Sequence, residues 1–369
     1  MKLLLFTFFS ILITLNLMGC SNENYEIVRK GDINYFYNKK PLNNKTTISL
    51  IEEVTISNDS IDNEDYRFIN PVAVDLDENN NIYILEYTNC SINKFDVNGK
   101  FISNFGRMGQ GPGEFKQSNS MVILNNKIYV SDLLQRRVVV FNIDGTSNDI
   151  IKLNNWAPKN LSKLSDSLII GIDENNKRMD QGIEFNSSFK IYNNDFKEQN
   201  SIENRTEIMN FEKPFNPLNL SIIYASGKKD IFIADNNVNG YSIKNYNASG
   251  ILKNKIFRSY KKVPASKDYL QRVNNSYSIT SRGKKIKAKL NIKYMNAIRF
   301  LGVDKYNRLW CLPSVEKNDD FELFDIFENN IYSSQLEFPI SLKNSLLFFK
   351  KDKIIVLNQE QLKISIYNY

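Results

Sequence analysis

The chain has 369 residues and no histidine, and its 48 Lys and Arg against 41 Asp and Glu give a formal net charge of +7 at pH 7. The absence of histidine excludes the usual general base, the commonest metal ligand and every Ser-His or Cys-His nucleophile pair. The length exceeds that of a typical single domain, so a closed array of repeats is one way to build one domain of this size. Aromatic residues make up 12% of the chain, and together with frequent Asn in turns they favour many short strands over helices.

The chain begins with a pattern that is typical of a secretory signal. One positive charge, Lys2, precedes an apolar run from Leu3 to Leu17, and this run is shorter than the roughly 20 residues that a transmembrane helix needs. A short membrane anchor that stays attached is the alternative. The polar residues Ser21–Asn24 follow at once and disfavour it.

The signal pattern ends in the residues Leu17-Met18-Gly19-Cys20. They resemble the lipobox of bacterial lipoproteins, in which the cysteine is acylated and becomes the mature N-terminus, although Met18 departs from the small residue usual there. The resemblance implies a signal peptide over residues 1–19, lipid attachment at Cys20 and a lipid-anchored linker over 20–45. It also implies that the lipid binds the protein to a membrane of the cell envelope, with the outer membrane favoured and the leaflet left open.

A short apolar strand pattern then recurs six times along the chain. The six copies are Asn81–Leu85, Lys127–Asp132, Ser167–Gly171, Asp230–Asp235, Arg308–Leu312 and Lys353–Leu357. Each copy follows another apolar strand and precedes a third that ends in an aromatic residue, usually with an Asn-Gly, Asp-Gly or Ser-Gly turn typical of hairpins. A fourth strand follows in the first five copies, and four antiparallel strands in a repeat of about 40–45 residues indicate the blades of a β-propeller.

The last repeat ends at Tyr369, directly after its third strand. The segment Thr46–Ile56 has a strand pattern but no repeat of its own. We predict that it completes the last blade and closes the ring, which removes the exposed sheet edges of an open array. The predicted fold is therefore an all-β, six-bladed β-propeller of four-stranded antiparallel blades over residues 46–369, closed by an N-terminal strand.

The segment from Asn70 to Phe115 resembles an NHL-type blade with its linker. Together with the lipobox, it is similar to the six-bladed propeller lipoproteins of Gram-negative gut bacteria. The resemblance covers nearly all of the mature chain, but only the first two blades match closely, and inserts at 203–218 and 258–296 depart from it. It supports the fold and adds little chemistry.

Turns in a four-stranded meander alternate between the two ends of a blade. The turns between second and third strands should therefore share one face with the connections between blades, and we call this the loop-rich face. We expect ligand-binding residues there, and the candidates are Glu86, Tyr87, Arg107, Gln110, Asp132, Arg136, Asp235, Asn237, Lys284 and Lys285.

Two connections on this face are unusual. The linker Gly106–Gly113 has four of the 15 glycines; because the Lys-Ser/Thr of a phosphate-binding loop is missing, we favour a turn role over anion binding. The segment 258–296 connects blades four and five and has eleven Lys or Arg and one acidic residue, Asp268, with a short helix predicted over Ser266–Val273. A solvated excursion is one interpretation, and a cationic flap that attracts a polyanionic ligand or an acidic partner is the other.

Several repeated residues are interpreted as structural. Aspartates near the ends of strands favour turn capping over calcium binding, and they are Asp75, Asp132, Asp173, Asp235 and Asp304. Aromatic residues at equivalent repeat positions favour packing between blades over a ligand-stacking surface, and they are Tyr83, Tyr129, Phe232 and Trp310. We expect Cys90 and Cys311 to be buried, free thiols, although an exported protein permits a disulfide.

The basic net charge of an exported protein favours anionic glycans, acidic proteins or membrane phosphates over nucleic acid. We expect a monomeric, non-catalytic binding module for a glycan or protein ligand, with an anionic ligand as one option and with no catalytic residue, cofactor or metal. This expectation rests on analogy of fold. The alternatives are a metal-dependent, lactonase-like propeller hydrolase or lyase with oxygen ligands only, and a structural subunit of an envelope complex.

Overall fold

The computed structural model describes residues 19–369 except 134, 181, 211–212, 236–239, 277, 282–283, 288 and 317–320. All but the last residue of the predicted signal peptide therefore lies outside the described part. Within that part, none of the helices has the length and apolar character needed to cross a membrane.

Five strands and two 3₁₀ helices precede the first complete blade. They are β1 (Gly19–Ser21), β2 (Tyr25–Lys30), β3 (Ile33–Asn38), β4 (Thr46–Thr47), β5 (Ile51–Ile56) and the 3₁₀ helices Asn58–Ser60 and Glu64–Tyr66.

Blades one to three follow in chain order, with a short parallel strand pair between the first two. Blade one has β6 (Pro71–Leu76), β7 (Ile82–Glu86), β8 (Ser91–Phe95) and β9 (Phe101–Phe105), and the pair is β10 (Arg107–Met108) and β11 (Glu114–Phe115). Blade two has β12 (Met121–Leu124), β13 (Lys127–Asp132), β14 (Arg137–Asn142) and β15 (Ser147–Lys152). Blade three has β16 (Lys159–Ser165), β17 (Leu168–Met179), β18 (Gly182–Asn193) and β19 (Glu198–Met209), and the 3₁₀ helix Pro217–Leu220 follows it.

Blades four to six complete the ring. Blade four has β20 (Tyr224–Ser226), β21 (Asp230–Ala234), β22 (Ser242–Asn247) and β23 (Leu252–Arg258), and it is followed by α1 (Lys267–Ser276) and the hairpin β24 (Ser278–Ser281) and β25 (Lys284–Lys287). Blade five has β26 (Ile298–Val303), β27 (Leu309–Pro313), β28 (Glu322–Glu328) and β29 (Ile331–Phe338). Blade six has β30 (Ser345–Lys350), β31 (Lys353–Asn358) and β32 (Lys363–Asn368), with β5 as its fourth strand.

The six blades form a closed ring, which confirms the predicted fold. The innermost strands lie side by side in the order β6, β12, β16, β20, β26 and β30, and β30 contacts β6 again. The strand β5 pairs antiparallel with β32, from Ile56 opposite Ile364 to Ile51 opposite Asn368. The first part of the predicted closing segment differs, because Thr46–Thr47 pairs in parallel with β29 of blade five.

The segment predicted as a linker, residues 20–45, contains strands. The strands β2 and β3 form a hairpin, and β3 pairs in parallel with β23, the outermost regular strand of blade four. The strand Ile33–Asn38 has three consecutive aromatic residues, Tyr35–Tyr37, and Gly31 adopts a positive φ of 61° in the preceding turn. The repeat did not predict this hairpin, because the hairpin lies outside the repeat.

Blade three also departs from the predicted pattern. Its strands β17, β18 and β19 each have 12 residues. The predicted insert at 203–218 begins as an extension of β19, which stays paired with β18 up to Met209 opposite Ile183. The insert is therefore part of a longer sheet at its start.

Buried apolar clusters lie between neighbouring blades. The predicted packing role of the repeated aromatic residues is confirmed, because Tyr83, Tyr129, Phe232 and Trp310 all belong to such clusters. Burying large aromatic side chains contributes strongly to the stability of the ring.

The aspartates have several roles. Asp304 caps its turn as predicted, since its carboxylate accepts hydrogen bonds from the backbone N–H groups of Tyr306 and Arg308 at 3.0 and 2.8 Å. The prediction is wrong for Asp75, which lies within β6 and accepts the N–H of Ile123 in blade two at 2.9 Å. It is also wrong for Asp173, which lies within β17 and contacts Tyr192 and Lys190, because β17 runs past the expected turn.

Candidate ligand-binding face

The segment 258–296, which we call the flap, connects blade four to blade five on the loop-rich face. Its helix α1 begins at Lys267 and ends at Ser276, close to the predicted bounds Ser266–Val273. The hairpin β24–β25 follows the helix.

Backbone hydrogen bonds fix the base of the flap to the body of the propeller. The N–H of Phe215 donates to the carbonyl of Lys289 at 2.8 Å, and the N–H of Asn291 donates to the carbonyl of Phe215 at 2.9 Å. Leu290 packs against the buried cluster of Met209, Phe215 and Leu220. The base of the flap is therefore part of the packed structure, unlike a solvated excursion.

A buried charge network joins blades four and five where the flap begins. The guanidinium of Arg258 lies 3.0 Å from the carboxylate of Asp325, which also accepts hydrogen bonds from the hydroxyls of Tyr241 and Tyr332 at 2.9 and 2.8 Å. Burial raises the pKa of Asp325, although Arg258 acts in the opposite direction. Arg258 is thus a structural charge and is not available to a ligand.

A cleft of about 310 Å³ lies between the flap and the turn that contains Asn216 and Asn219. Its polar and aromatic lining consists of four asparagines, two tyrosines and two lysines, namely Asn216, Asn219, Asn291, Asn296, Tyr260, Tyr294, Lys262 and Lys293. None of the described residues that line it carries a carboxylate. The cleft therefore offers amide donors and acceptors, aromatic surface and positive charge.

Part of this lining is free to bind. Within the described residues, the side chains of Asn291, Lys293 and Asn296 make no hydrogen bond or ion pair. Tyr294 is 41% exposed, and the ammonium of Lys262 lies 5.5 Å from the centre of its ring. The hydroxyl of Tyr260 donates to a backbone carbonyl, and burial raises its pKa to about 12. It is therefore protonated near neutral pH.

Several predicted site residues have structural partners instead. Glu86 is 1% exposed, and its carboxylate accepts the backbone N–H groups of Ile69, Asn70 and Thr88 at 2.8 to 3.0 Å. It fixes the connection that enters blade one, with the half-buried Tyr87 in the adjoining turn.

Two carboxylates, Asp132 and Glu114, hold the glycine-rich linker in place. Asp132 was predicted as a candidate ligand-binding residue, and Glu114 was not predicted to have a role. Asp132 is fully buried and pairs with Arg137 at 2.9 Å, and Arg137 donates to the carbonyl of Gln110 at 2.6 Å. Glu114 accepts the N–H groups of Gln110 and Gly111 at 2.9 and 2.8 Å. These amides are occupied within the protein, which agrees with the predicted turn role.

The remaining candidates are divided between two regions. Arg107 is exposed and pairs with Glu114 at 2.7 Å, and Arg136 is exposed in the turn after β13. Asp235 follows β21 and lies 3.9 Å from Lys244. The backbones of Lys284 and Lys285 lie in β25, whereas Asn237 is outside the described residues. The candidates whose side chains the structure describes do not meet at one site.

Comparison with known proteins agrees with this architecture. A family model described as a 6-bladed beta-propeller matches residues 64–297, which is more than half of the chain. The chain belongs to this six-bladed β-propeller family. No curated protein matches the chain.

Solved structures resemble this propeller at low sequence identity. A Bacteroides fragilis protein proposed to be exported shares 14% identity over 88% of this chain and 97% of its own, with a TM-score of 0.51. An inactive variant of virginiamycin B lyase from Staphylococcus aureus, with quinupristin, shares 14% identity over 87% and 98%, with a TM-score of 0.45. The computationally designed Ika8 protein shares 10% identity over 86% and 99%, with a TM-score of 0.43. At these identities the likeness concerns the fold alone.

The propeller encloses a central channel along its axis. The half nearer the loop-rich face has about 520 Å³ and is lined mainly by apolar side chains such as Ile223, Phe300 and Phe348. The opposite mouth has about 490 Å³ and contains five lysines and three acidic residues.

Lysines at this mouth stabilise ring closure. Lys350 pairs with Asp75 at 3.0 Å, and Lys351 donates to the carbonyls of Asp77 and Glu78 at 2.7 and 2.9 Å. Both contacts join blade six to blade one. The lysines at this mouth are largely paired within the protein, whereas Lys293 in the cleft beside the flap has no ion pair within the described residues.

Cysteines and metal ligands offer no competing site in the described part of the chain. Cys90 and Cys311 are buried, free thiols in blades one and five, as predicted, and burial raises the pKa of both. No group of three or more acidic or cysteine side chains among the described residues could hold a metal ion.

Proposed function

We propose that this propeller is an exported, lipid-anchored binding protein of the cell envelope, and that its cleft beside the flap binds an anionic glycan without catalysing a reaction. The observation that carries this proposal is the cleft lining of amides, tyrosines and lysines, with no carboxylate among the described lining residues. The sequence pattern before Cys20 supports export and lipid attachment. A structural relative that is itself proposed to be exported agrees with this location.

The chemistry of the cleft suits an acidic sugar. Asparagine amides can both donate to and accept from sugar hydroxyls, and Asn291 and Asn296 have no competing partner within the described residues. The exposed ring of Tyr294 offers an apolar surface for the C–H face of a sugar, and Lys293 can pair with a carboxylate or sulfate. The volume of about 310 Å³ falls within the range of small-ligand sites and suits a short segment of a glycan.

The same lining disfavours hydrolysis. Most glycoside hydrolases use two carboxyl groups on either side of the scissile bond. The lining residues that the structure describes provide neither of them. The described lining therefore favours binding over hydrolysis.

The flap adds a positive field around the cleft. It has eleven Lys or Arg and only Asp268 as an acidic residue, while Arg258 and Lys261 are paired with Asp325 and Glu316. A field of one sign raises the local concentration of ligands of the opposite charge and their rate of association, and salt weakens it.

Binding of polygalacturonate, heparin and neutral dextran to the purified chain tests the proposal. We expect the two polyanions to bind and dextran to bind weakly, with the affinity for polyanions falling as salt is raised. The variants Tyr294→Ala and Lys293→Ala should weaken polyanion binding about ten-fold each. Matched controls, Tyr306→Ala and Lys228→Ala, change residues at the far channel mouth and should leave the affinity unchanged.

Two outcomes would contradict the proposal. Equal affinities for the cleft variants and the unchanged chain would exclude the cleft as the site, and release of shortened sugars from polygalacturonate would show an enzyme.

Lipid attachment is tested separately with Cys20→Ser in cells. The unchanged chain should incorporate a labelled fatty acid and this variant should not, and labelling of both or of neither would contradict lipid attachment at Cys20.

A further inference from the structure

The half of the central channel nearer the loop-rich face has an apolar wall. Ile223, directly before β20, Phe300 in β26, and Leu346 and Phe348 in β30 belong to this wall, so blades four, five and six supply it. Each of these side chains packs against a buried cluster between blades and is still partly exposed. Because water gains little from contact with such a surface, an apolar ligand that displaces it is favoured.

The facing wall of this half is polar. Asn119, just before β12 in blade two, and Asn160, in β16 of blade three, line it. In a ring of six, these two blades face blades five and six. The channel half therefore has one apolar side and one side with amide groups.

The amide of Asn119 is left without a partner. Its side-chain oxygen is buried and has no hydrogen bond, and within the described residues its side-chain nitrogen has none either. The neighbouring Ser120 differs, because its hydroxyl oxygen accepts the N–H of Leu161 at 2.6 Å. A buried polar group without a partner costs free energy. A ligand that bonds with this amide would remove that cost.

The charged groups of this half are already paired. Among the described lining residues, only Arg299 and Lys350 carry a charge. Arg299 lies 2.7 Å from the carboxylate of Glu322, and Lys350 lies 3.0 Å from that of Asp75. Since burying an ionised group without a counter-charge is costly, this lining favours an uncharged ligand.

The size of the channel half suits a small molecule. Its volume of about 520 Å³ falls within the range of small-ligand sites. We propose that it binds an uncharged small molecule with an apolar body and a hydrogen-bonding group, such as a carbonyl, for Asn119. No described residue lines both this half and the cleft beside the flap. The channel site is therefore separate from the proposed glycan site and does not rest on it.

Photolabelling of the unchanged chain with benzophenone locates the site. Benzophenone is uncharged, has two phenyl rings and one carbonyl, and under ultraviolet light adds across nearby C–H bonds. Mass spectrometry should find the label in residues 222–226, 298–303 and 345–350, which line the channel half. Label confined to the cleft beside the flap, label spread over exposed apolar residues such as Met108, or no label would overturn the proposal.

A fluorescence titration tests the apolar wall with a matched pair of variants. The probe is N-phenyl-1-naphthylamine, an uncharged dye that brightens in an apolar site. Ile223→Ser should weaken its binding about five-fold. The control Ile102→Ser makes the same change at a residue that is 49% exposed outside the channel, and it should bind like the unchanged chain. Equal affinities in the two variants would overturn the proposal.

Competition with benzophenone tests the polar wall. Displacement of the dye gives the affinity for benzophenone, and Asn119→Ala should weaken it about five-fold because the carbonyl loses its donor. The control Asn98→Ala, at an exposed turn of blade one, should leave it unchanged. Thermal unfolding of all four variants shows that they remain folded. Unchanged affinity in a folded Asn119→Ala would overturn the proposal.

Salt and a polyanion separate this inference from the proposed function. Binding of the dye should not change with salt, because the charges of the described lining are paired, and polygalacturonate should not displace the dye. Displacement of the dye by polygalacturonate, or weaker binding at high salt, would overturn a separate, uncharged channel site. If polygalacturonate does not bind at all while the dye binds and Ile223→Ser weakens it, the glycan proposal fails and the channel site is supported.

Discussion

The linker Gly106–Gly113 and the flap 258–296 both connect neighbouring blades on the loop-rich face, but they use their polar groups in opposite ways. In the linker, the backbone N–H groups of Gln110 and Gly111 donate hydrogen bonds to Glu114, and the backbone carbonyl of Gln110 accepts one from Arg137. In the cleft beside the flap, Asn291 has no side-chain partner within the described residues.

This difference shows that composition alone does not identify a binding site. Glycine amides and buried charges at the linker resemble an anion site in sequence, yet internal carboxylates and a guanidinium already satisfy them. A buried polar group that has its partners stabilises the fold. A polar group left without partners at a cleft is available to a ligand.

The largest expected effect concerns the buried ion pair that holds the linker. Arg137→Ala leaves the carboxylate of Asp132 buried without its partner, and we expect the free energy of unfolding to fall by about 3–5 kcal/mol. Denaturant unfolding measures this change. The neighbouring exposed residue provides the control, since Arg136→Ala should change stability by no more than about 0.5 kcal/mol. Similar losses in both variants would show that the ion pair does not hold the linker.

A smaller loss of stability is expected where the flap begins. Tyr241→Phe removes a hydrogen bond to the buried, charged Asp325, and hydrogen bonds to charged groups contribute about 1.5–3 kcal/mol. Tyr260→Phe removes a hydrogen bond to a neutral carbonyl, so it should cost about 1 kcal/mol. Thermal unfolding of the two variants checks this order, and a greater loss for Tyr260→Phe would contradict the role of the network.

The affinity for glycans can be compared between a variant of the cleft beside the flap and a variant of the linker Gly106–Gly113. Asn291→Ala removes an unpartnered amide from the cleft and should weaken polyanion binding about ten-fold, or about 1.4 kcal/mol. Gln110→Ala, which changes an exposed side chain of the linker on the same face, should leave affinity unchanged. Titration calorimetry with polygalacturonate measures both. A stronger effect at Gln110 would move the site to the linker.

The smallest effect is a change in the pH dependence of stability. The N–H of Gly111 and then the side chain of Arg107 lower the pKa of Glu114 below its ordinary value of 4.5. The contribution of this carboxylate is therefore present above pH 4.5 and is lost as the pH falls through the lower, folded-state pKa. Glu114→Gln should flatten the stability curve in this acidic range and leave its slope near neutral pH unchanged. An unaltered acidic slope would show that the capping contacts contribute nothing.

The sequence was sufficient to predict the ring because the repeat specifies it locally. Six copies of one strand pattern define six blades, and the missing last strand identified β5 as the closing strand. The hairpin of β2 and β3 was missed because it lies outside the repeat and joins blade four only through the parallel pairing of β3 with β23. Nothing in the local pattern of Ile33–Asn38 indicates that distant partner.

The candidate site was less predictable because it also depends on contacts between segments that are distant in the sequence. The side chain of Glu86 was expected to face a ligand, but the chain of the preceding connection folds back over it. The cleft combines Asn216 and Asn219 with residues of the flap, and only the fold brings these segments together. The run Asn291–Asn296, with two asparagines, a lysine and a tyrosine, was the one local signal that could have indicated it.

Hydrogen–deuterium exchange with and without an acidic oligosaccharide tests the central claim most directly. Oligogalacturonate should slow exchange in residues 289–296 and 216–220, which border the cleft, and leave the linker 106–113 unchanged. Protection confined to the linker or to the far channel mouth, with none at the cleft, would contradict the account.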